Sequence, residues 1–279
     1  MSLSQISLYE KVKLQQQCWA DKHNINKNKK GYVTKLDDNL FVPLAGRNRD
    51  QFNLGAGKEL NRKMKALHSS SALVVNTFLP WVESRSLDLL CLDNMTAFHT
   101  LIFEAQCPTG LNGTPPHFDV LCCGDRTIVG IEAKFCEPFE NEKTEQKALQ
   151  PRYETLIGNM RNKFNDCMGE YKRLYVHQLI SHYLGLRKLA EIHQGHAIVL
   201  MYLFWEPKNW KRIAEFGKHR EEIRRFGNEV IKRLWAQKGH KRVEFIWMTY
   251  SRLWGSWKVT NDWQKKHLAW LRERYQFAL

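Results

Sequence analysis

The sequence has little of what holds a small secreted fold together or carries a chain through a bilayer. Its seven cysteines include no Cys-x-x-Cys pair and no regular spacing, which excludes a disulfide framework or a zinc ribbon and predicts free, buried thiols. Its longest apolar runs, such as residues 197–205, fall far short of the roughly 20 residues that span a bilayer. Residues 1–14 hold no apolar leader-like core, so the expected location is the cytoplasm. The eleven histidines show no paired metal-ligand spacing, which argues against a zinc site, and only His117 lies beside the segment of chemical interest. Repeats and low-complexity tracts are lacking too. The GAGK at residues 55–58 is no phosphate-binding loop, because Phe52 and Glu59 stand where that loop needs glycine and a hydroxyl residue.

What is present is a basic, aromatic-rich globular composition. The net charge is +14, and 12% aromatic residues exclude global disorder. The charge is unevenly placed: residues 1–65 carry +7, residues 66–206 carry −4 and residues 207–279 carry +11. An acidic centre between two basic ends suggests a carboxylate-bearing site flanked by surfaces that attract a polyanion.

Local patterns predict helices over residues 7–19, 69–80 (Ser-capped and ended by Pro80), 94–105, 171–189, 215–237 and 262–275, the last capped by Asp262. Residues 21–50 read as a polar loop carrying Arg47 and Arg49. The continuous apolar run at 196–205 predicts a strand covered on both faces, and residues 243–253 a second strand. Between these, HFDVLCCGDRTIVGIEAKF at 117–135 reads as a hairpin turning at Gly124-Asp125-Arg126.

The hairpin carries the chemistry. A turn centred on Asp125-Arg126 sets Asp119 opposite Glu132, and paired positions share a face. Lys134, two residues on, joins them, while Val129, Ile131, Ala133 and Phe135 fill the opposite face as core. Two carboxylates so placed suit Mg²⁺, with Mn²⁺ as a substitute; the Ala133 carbonyl and Glu104, near the end of the preceding helix, supply further oxygens. Lys134 suits assistance to an attacking water or stabilisation of charge on a phosphate. Glu-x-Lys alone is a weak motif, since Glu145-Gln146-Lys147 repeats it in a charged, solvated stretch. On the residues alone, a metal-dependent active site and a satisfied salt-bridge cluster both stay open.

At these positions the sequence resembles the PD-(D/E)xK nuclease superfamily, with Asp119, Glu132 and Lys134 on its motif and Phe118 where its proline usually stands. SSSALVVNTFLP, PTG, IEAKFCE, YKRLYVHQLISHYLGL and YLFWEP, in that order, are similar to a less characterised bacterial branch. The resemblance covers about residues 69–226. It implies an α/β restriction-endonuclease-like fold: a central four- to five-stranded mixed sheet flanked by helices, with basic helical additions at both ends. With the uneven charge, the expected division is a basic N-terminal region, 1–65, and a nuclease domain, 66–279, that includes a basic, Trp-rich C-terminal part. The implied activity is Mg²⁺-dependent hydrolysis of DNA, with Glu104 as the helical acidic residue and Gln178 and Glu137 as auxiliary residues.

Candidate duplex contacts are Arg47, Arg49, Arg220, Arg224, Arg225, Lys238, Lys241 and Arg242. Eight of the ten tryptophans lie in the last 75 residues, and Trp254 and Trp257 are the ones expected at the surface. The leading expectation is a restriction-type enzyme cutting foreign double-stranded DNA, with a homodimer and a companion methyltransferase as expected partners and no membrane. The alternatives are a structure-selective repair or recombination nuclease, or an inactive nucleic-acid-binding protein on the same fold.

Overall fold

A computed structural model describes residues 6–54, 59–140, 146–237 and 242–279. Its centre is one five-stranded sheet in the order β1-β2-β3-β4-β5. The strands are β1 (Phe98–Gln106), β2 (His117–Gly124), β3 (Thr127–Lys134), β4 (Ala197–Phe204) and β5 (Glu244–Thr249). β2 runs antiparallel to both β1 and β3, and β3, β4 and β5 run parallel, so the sheet is mixed as expected. The helices are α1 (Leu8–Lys22), α2 (Gly46–Leu54), α3 (Ser70–Glu83), α4 (Glu154–Ile157), α5 (Met160–Met168), α6 (Val176–Ile192), α7 (Ala214–Arg225), α8 (Lys232–Trp235), α9 (Tyr250–Ser256) and α10 (Asp262–Tyr275). No helix among the described residues is long and apolar enough to cross a membrane.

The continuous apolar run of β4 has its reason in the layers. Val199, Met201 and Leu203 enter one core with α3, α10 and the N-terminal region. Ile198, Leu200, Tyr202 and Phe204 enter the other with α6 and α7. A strand buried on both faces needs apolar residues at every position. Val12, Leu36, Leu40, Phe52 and Leu60 belong to the first core, so the basic N-terminal stretch packs on the same sheet as the rest. Arg274 of α10, 1% exposed, fastens it there by donating to Asn39 O (2.8 Å), Gln16 Oε1 (3.1 Å) and Leu67 O (3.2 Å).

Several expectations from local pattern are corrected. Residues 94–105 contain β1, not a helix. Phe98, Leu101, Ile102 and Ala105 match helical spacing, but Leu101, Phe103 and Ala105 also alternate, and pairing with β2 selects the strand. Pro80 does not end α3, which runs on to Glu83. The Asn76 carbonyl, which Pro80 cannot bond, accepts instead from His267 Nε2 at 2.7 Å. Arg47 and Arg49 sit on α2 rather than in a loop. The helix over 215–237 is α7 and α8 joined by a π-helical stretch, Phe226–Ile231. The strand predicted over 243–253 stops at Thr249, whose hydroxyl caps α9. Asn261, not Asp262, caps α10, in a reciprocal box with Gln264. Trp254 and Trp257 are buried, packed by residues far away in sequence. Cys107, Cys122 and Cys136 are buried and free as expected, whereas Cys18 is exposed.

Helix α6 lies against the start of the β1–β2 connection at a close approach that only glycine permits. A Cβ on Gly185 would stand 2.6 Å from the Cys107 carbonyl oxygen and 2.5 Å from its Sγ. Gly185→Ala ordinarily gains helix propensity. Here it is expected to cost about 1–3 kcal/mol, read as a lower urea midpoint, because the obstacle includes main chain.

Candidate active site

The β2–β3 register is the one the turn implies, with Val120 opposite Ile131 and Leu121 opposite Gly130. The ladder ends there, and a side chain takes it over: Asp119 Oδ2 accepts from the Ala133 N–H at 2.7 Å. This fixes one carboxylate oxygen of Asp119 and caps the end of β3. Next to it, Glu132 is 2% exposed and forms an ion pair with Lys134 through Oε1. Its other oxygen, Oε2, lies 3.3 Å from His182 Nδ1 on α6. The Glu132 face of β3 is therefore covered by α6 and does not line an open cleft. β3 is a central strand, buried throughout except at its two ends, Thr127 and Lys134.

Lys134 Nζ is also 3.3 Å from Gln178 Oε1 and 5.3 Å from the centre of the Tyr175 ring. Burial opposes its charge, but Glu132, Asp119 and Glu137 outweigh burial and hold the ammonium above its ordinary range. Burial pushes the Glu132 carboxyl up, and Lys134 pulls it back. Glu137 turns back to accept from the Phe135 N–H at 2.8 Å, closing the end of β3. The Ala133 carbonyl accepts from Ser70 Oγ at 3.2 Å, at the start of α3.

Glu104 reaches this place from β1, not from a helix. Its backbone has φ +47°, in the left-handed region rare for residues other than glycine. The register runs Phe103 with Val120 and Ala105 with Phe118, and Glu104 breaks the pairing between them. Its carboxyl is pushed up to about 8, first by burial and then by the charges of Asp119, Glu59 and Glu132. Asp119 is raised well above its ordinary value by burial and Glu132, against the pull of Lys134 and the Ala133 N–H.

Two cavities, of about 550 and 440 Å³, meet here, and Asp119, Glu59, Lys63 and Ser71 line both. The larger holds Glu104, His117, Gln178 and His182. The smaller holds Ser70, Ala133, Lys134 and Glu137. Among the described residues no group of three or more His, Cys, Asp or Glu side chains stands ready as a metal cage, and Glu132 is turned to Lys134 and His182. The donor chemistry nevertheless fits a hard divalent cation: carboxylate and carbonyl oxygens, with a mutual repulsion at Glu104 and Asp119 that a cation would relieve.

Asp119, Ala133, Glu132, Lys134, Glu104 and Gln178 are thus brought to one place. The basic candidates are scattered. Arg220 is bound to Glu206 through two hydrogen bonds (2.9 and 2.6 Å) and lies 3.9 Å from the Trp210 ring centre, so its fork is already occupied. Arg225 pairs with Glu170 and stacks on Tyr171. Arg47, Arg49, Arg224 and Arg242 are exposed; Arg224 pairs with Glu221 and Arg242 lies over Trp235. Lys238, Lys241, Glu145 and the GAGK stretch lie outside the described residues.

Sequence reasoning missed two residues. Glu59, 9% exposed, is held by Ser71 Oγ (2.9 Å) and Lys63 Nζ (2.6 Å) where the cavities meet. It was passed over because only the rejected phosphate-loop reading drew attention to it. His182 sits one helical turn beyond Gln178, and that spacing was the available signal.

The family model described as restriction endonuclease associating with ARP matches residues 8–276. No curated protein and no solved structure matches the chain. The match takes in α1, the whole sheet and α10, and the mixed sheet flanked by helices is consistent with a restriction-endonuclease-like fold. The chain belongs to the family of restriction endonucleases associating with ARP.

Proposed function

We propose that the protein is a Mg²⁺-dependent endonuclease that hydrolyses phosphodiester bonds in double-stranded DNA, used against foreign DNA. The observation that carries this reading is the meeting of Glu104, Asp119 and the Ala133 carbonyl with the charged Lys134 where two cavities join. Asp119, Glu104, Glu132 and the Ala133 carbonyl would hold the cation, which when bound polarises the attacked phosphate and offsets its charge. Mn²⁺ would serve in its place.

The chain's own groups do the rest. Asp119 is oriented by the Ala133 N–H and has its second oxygen left for the site. Lys134, held as ammonium, donates hydrogen bonds to developing negative charge and does not remove a proton. Gln178 and the Tyr175 ring hold that ammonium at the end of β3. Arg47, Arg49, Arg224 and Arg242 supply exposed charge for the duplex backbone. Cutting both strands calls for a homodimer, and protection of host DNA calls for a companion methyltransferase. The family description adds association with ARP as a further partner for this chain.

Supercoiled plasmid and phage DNA incubated with the protein test the reading. Mg²⁺ is expected to give discrete fragments and EDTA to give none. Failure to cut any DNA with Mg²⁺ or Mn²⁺, or undiminished cutting in EDTA, rejects it.

A further inference from the structure

Among the described residues, one buried histidine meets the Glu-x-Lys pair and has no part in the mechanism above. His182 is 1% exposed, and its Nδ1 has no hydrogen-bond partner among the described residues. That atom lies 3.3 Å from Glu132 Oε2, while Lys134 holds Oε1. The ring packs on Phe118 with centroids 4.5 Å apart. An apolar side chain would fill that place without the cost of burying a polar nitrogen. Gln178, four residues earlier on the same helix, contacts Lys134 at 3.3 Å. One face of α6 therefore meets both members of the pair, Gln178 the lysine and His182 the glutamate.

The geometry points to His182 as a positioning residue: it fixes the Glu132 carboxylate from the side opposite Lys134 and so sets the metal affinity of the site. The inference rests on the metal-dependent reading of the preceding section. Lys134 holds Oε1 of Glu132, so a cation gains that oxygen only where Lys134 yields it, and His182 beside Oε2 keeps the carboxylate from turning as it does so. Partners that orient a metal-binding carboxylate typically change affinity by about 10- to 100-fold when removed.

Three variants separate this role from packing. His182→Asn keeps a nitrogen near the place of Nδ1, His182→Gln moves it to the place of Nε2, and His182→Leu removes it. Mn²⁺ binding is measured by isothermal titration calorimetry on protein shown to be folded by near-UV circular dichroism, with DNA cleavage measured alongside. His182→Gln and His182→Leu are expected to bind Mn²⁺ about tenfold or more weakly, with His182→Asn within about threefold of the parent. Should His182→Leu fail to fold, the Asn and Gln pair decides. Binding equal to the parent in every folded variant, or an equal loss in Asn and Gln, overturns the inference. A parent protein that binds no Mn²⁺ overturns the metal-dependent reading and this inference together. A parent that binds Mn²⁺ with the expected His182 dependence but cuts no DNA rejects the nuclease reading and leaves the role of His182 standing.

Discussion

Lys134→Ala is expected to lower the rate of DNA cleavage by about 10²- to 10⁴-fold, the range for losing one positioned charge at a reacting phosphate. The size of the effect follows from the state of the side chain. Lys134 is 12% exposed and kept charged by three carboxylates, so no water takes over its role without a large loss of field. The same substitution leaves Glu132 buried without its partner, and removing one member of such a pair commonly costs about 3–5 kcal/mol. Glu132 has a way to soften this, because burial already pushes its carboxyl up and a proton neutralises it. Single-turnover cleavage beside a urea titration separates the two consequences. The double variant Lys134→Met, Glu132→Gln is expected to regain stability while staying inactive. A Lys134→Ala protein that cuts within tenfold of the parent rate removes Lys134 from the mechanism.

Glu104→Gln is expected to abolish cleavage and yet stabilise the metal-free protein at alkaline pH. The folded-state value of Glu104 is about 8, above the ordinary 4.5, so the folded protein binds this proton more tightly than the unfolded chain. The stability linked to it is fully present below about pH 4.5 and is lost as pH rises through about 8. Above that window the folded state must keep an ionised Glu104 beside Asp119, Glu59 and Glu132. Glutamine mimics the protonated acid, so the variant should match the parent near pH 4 and exceed it at pH 8.5 by on the order of 1–3 kcal/mol. Urea midpoints at the two pH values, taken in EDTA, measure this. Adding Mg²⁺ should stabilise the parent more at pH 8.5 than at pH 6, because the cation then displaces no proton. A variant no more stable than the parent at pH 8.5 shows that burial and the neighbouring carboxylates do not raise Glu104 as the geometry requires.

The hairpin was legible because everything that specifies it is local. A Gly-Asp-Arg turn and a period of two fix the pairing of Val120 with Ile131, and Asp119 is delivered to the end of β3 without reference to the rest of the fold. The apolar run of β4 was equally plain, since burial on both faces leaves no position for a polar residue. β1 was misread because its apolar residues satisfy two periods at once, and the neighbour that selects between them, β2, lies beyond the PTG turn. The tryptophans near the C-terminus failed for a related reason. Trp257 meets Trp81 across the core, and such a contact leaves no trace in nearby residues.

By itself the sequence determined the hairpin, the doubly buried β4, the Glu-x-Lys strand and the uneven charge, because composition and short-range periodicity act within a few residues. Only the tertiary structure decided what those charges face. Arg220 is basic by sequence but spent on Glu206 by folding. Glu59 and His182 look unremarkable along the chain but are carried to the site by packing. The carboxylates of the acidic middle meet not because they are near in sequence. Three strands end together there, and burial makes their carboxylates feel one another.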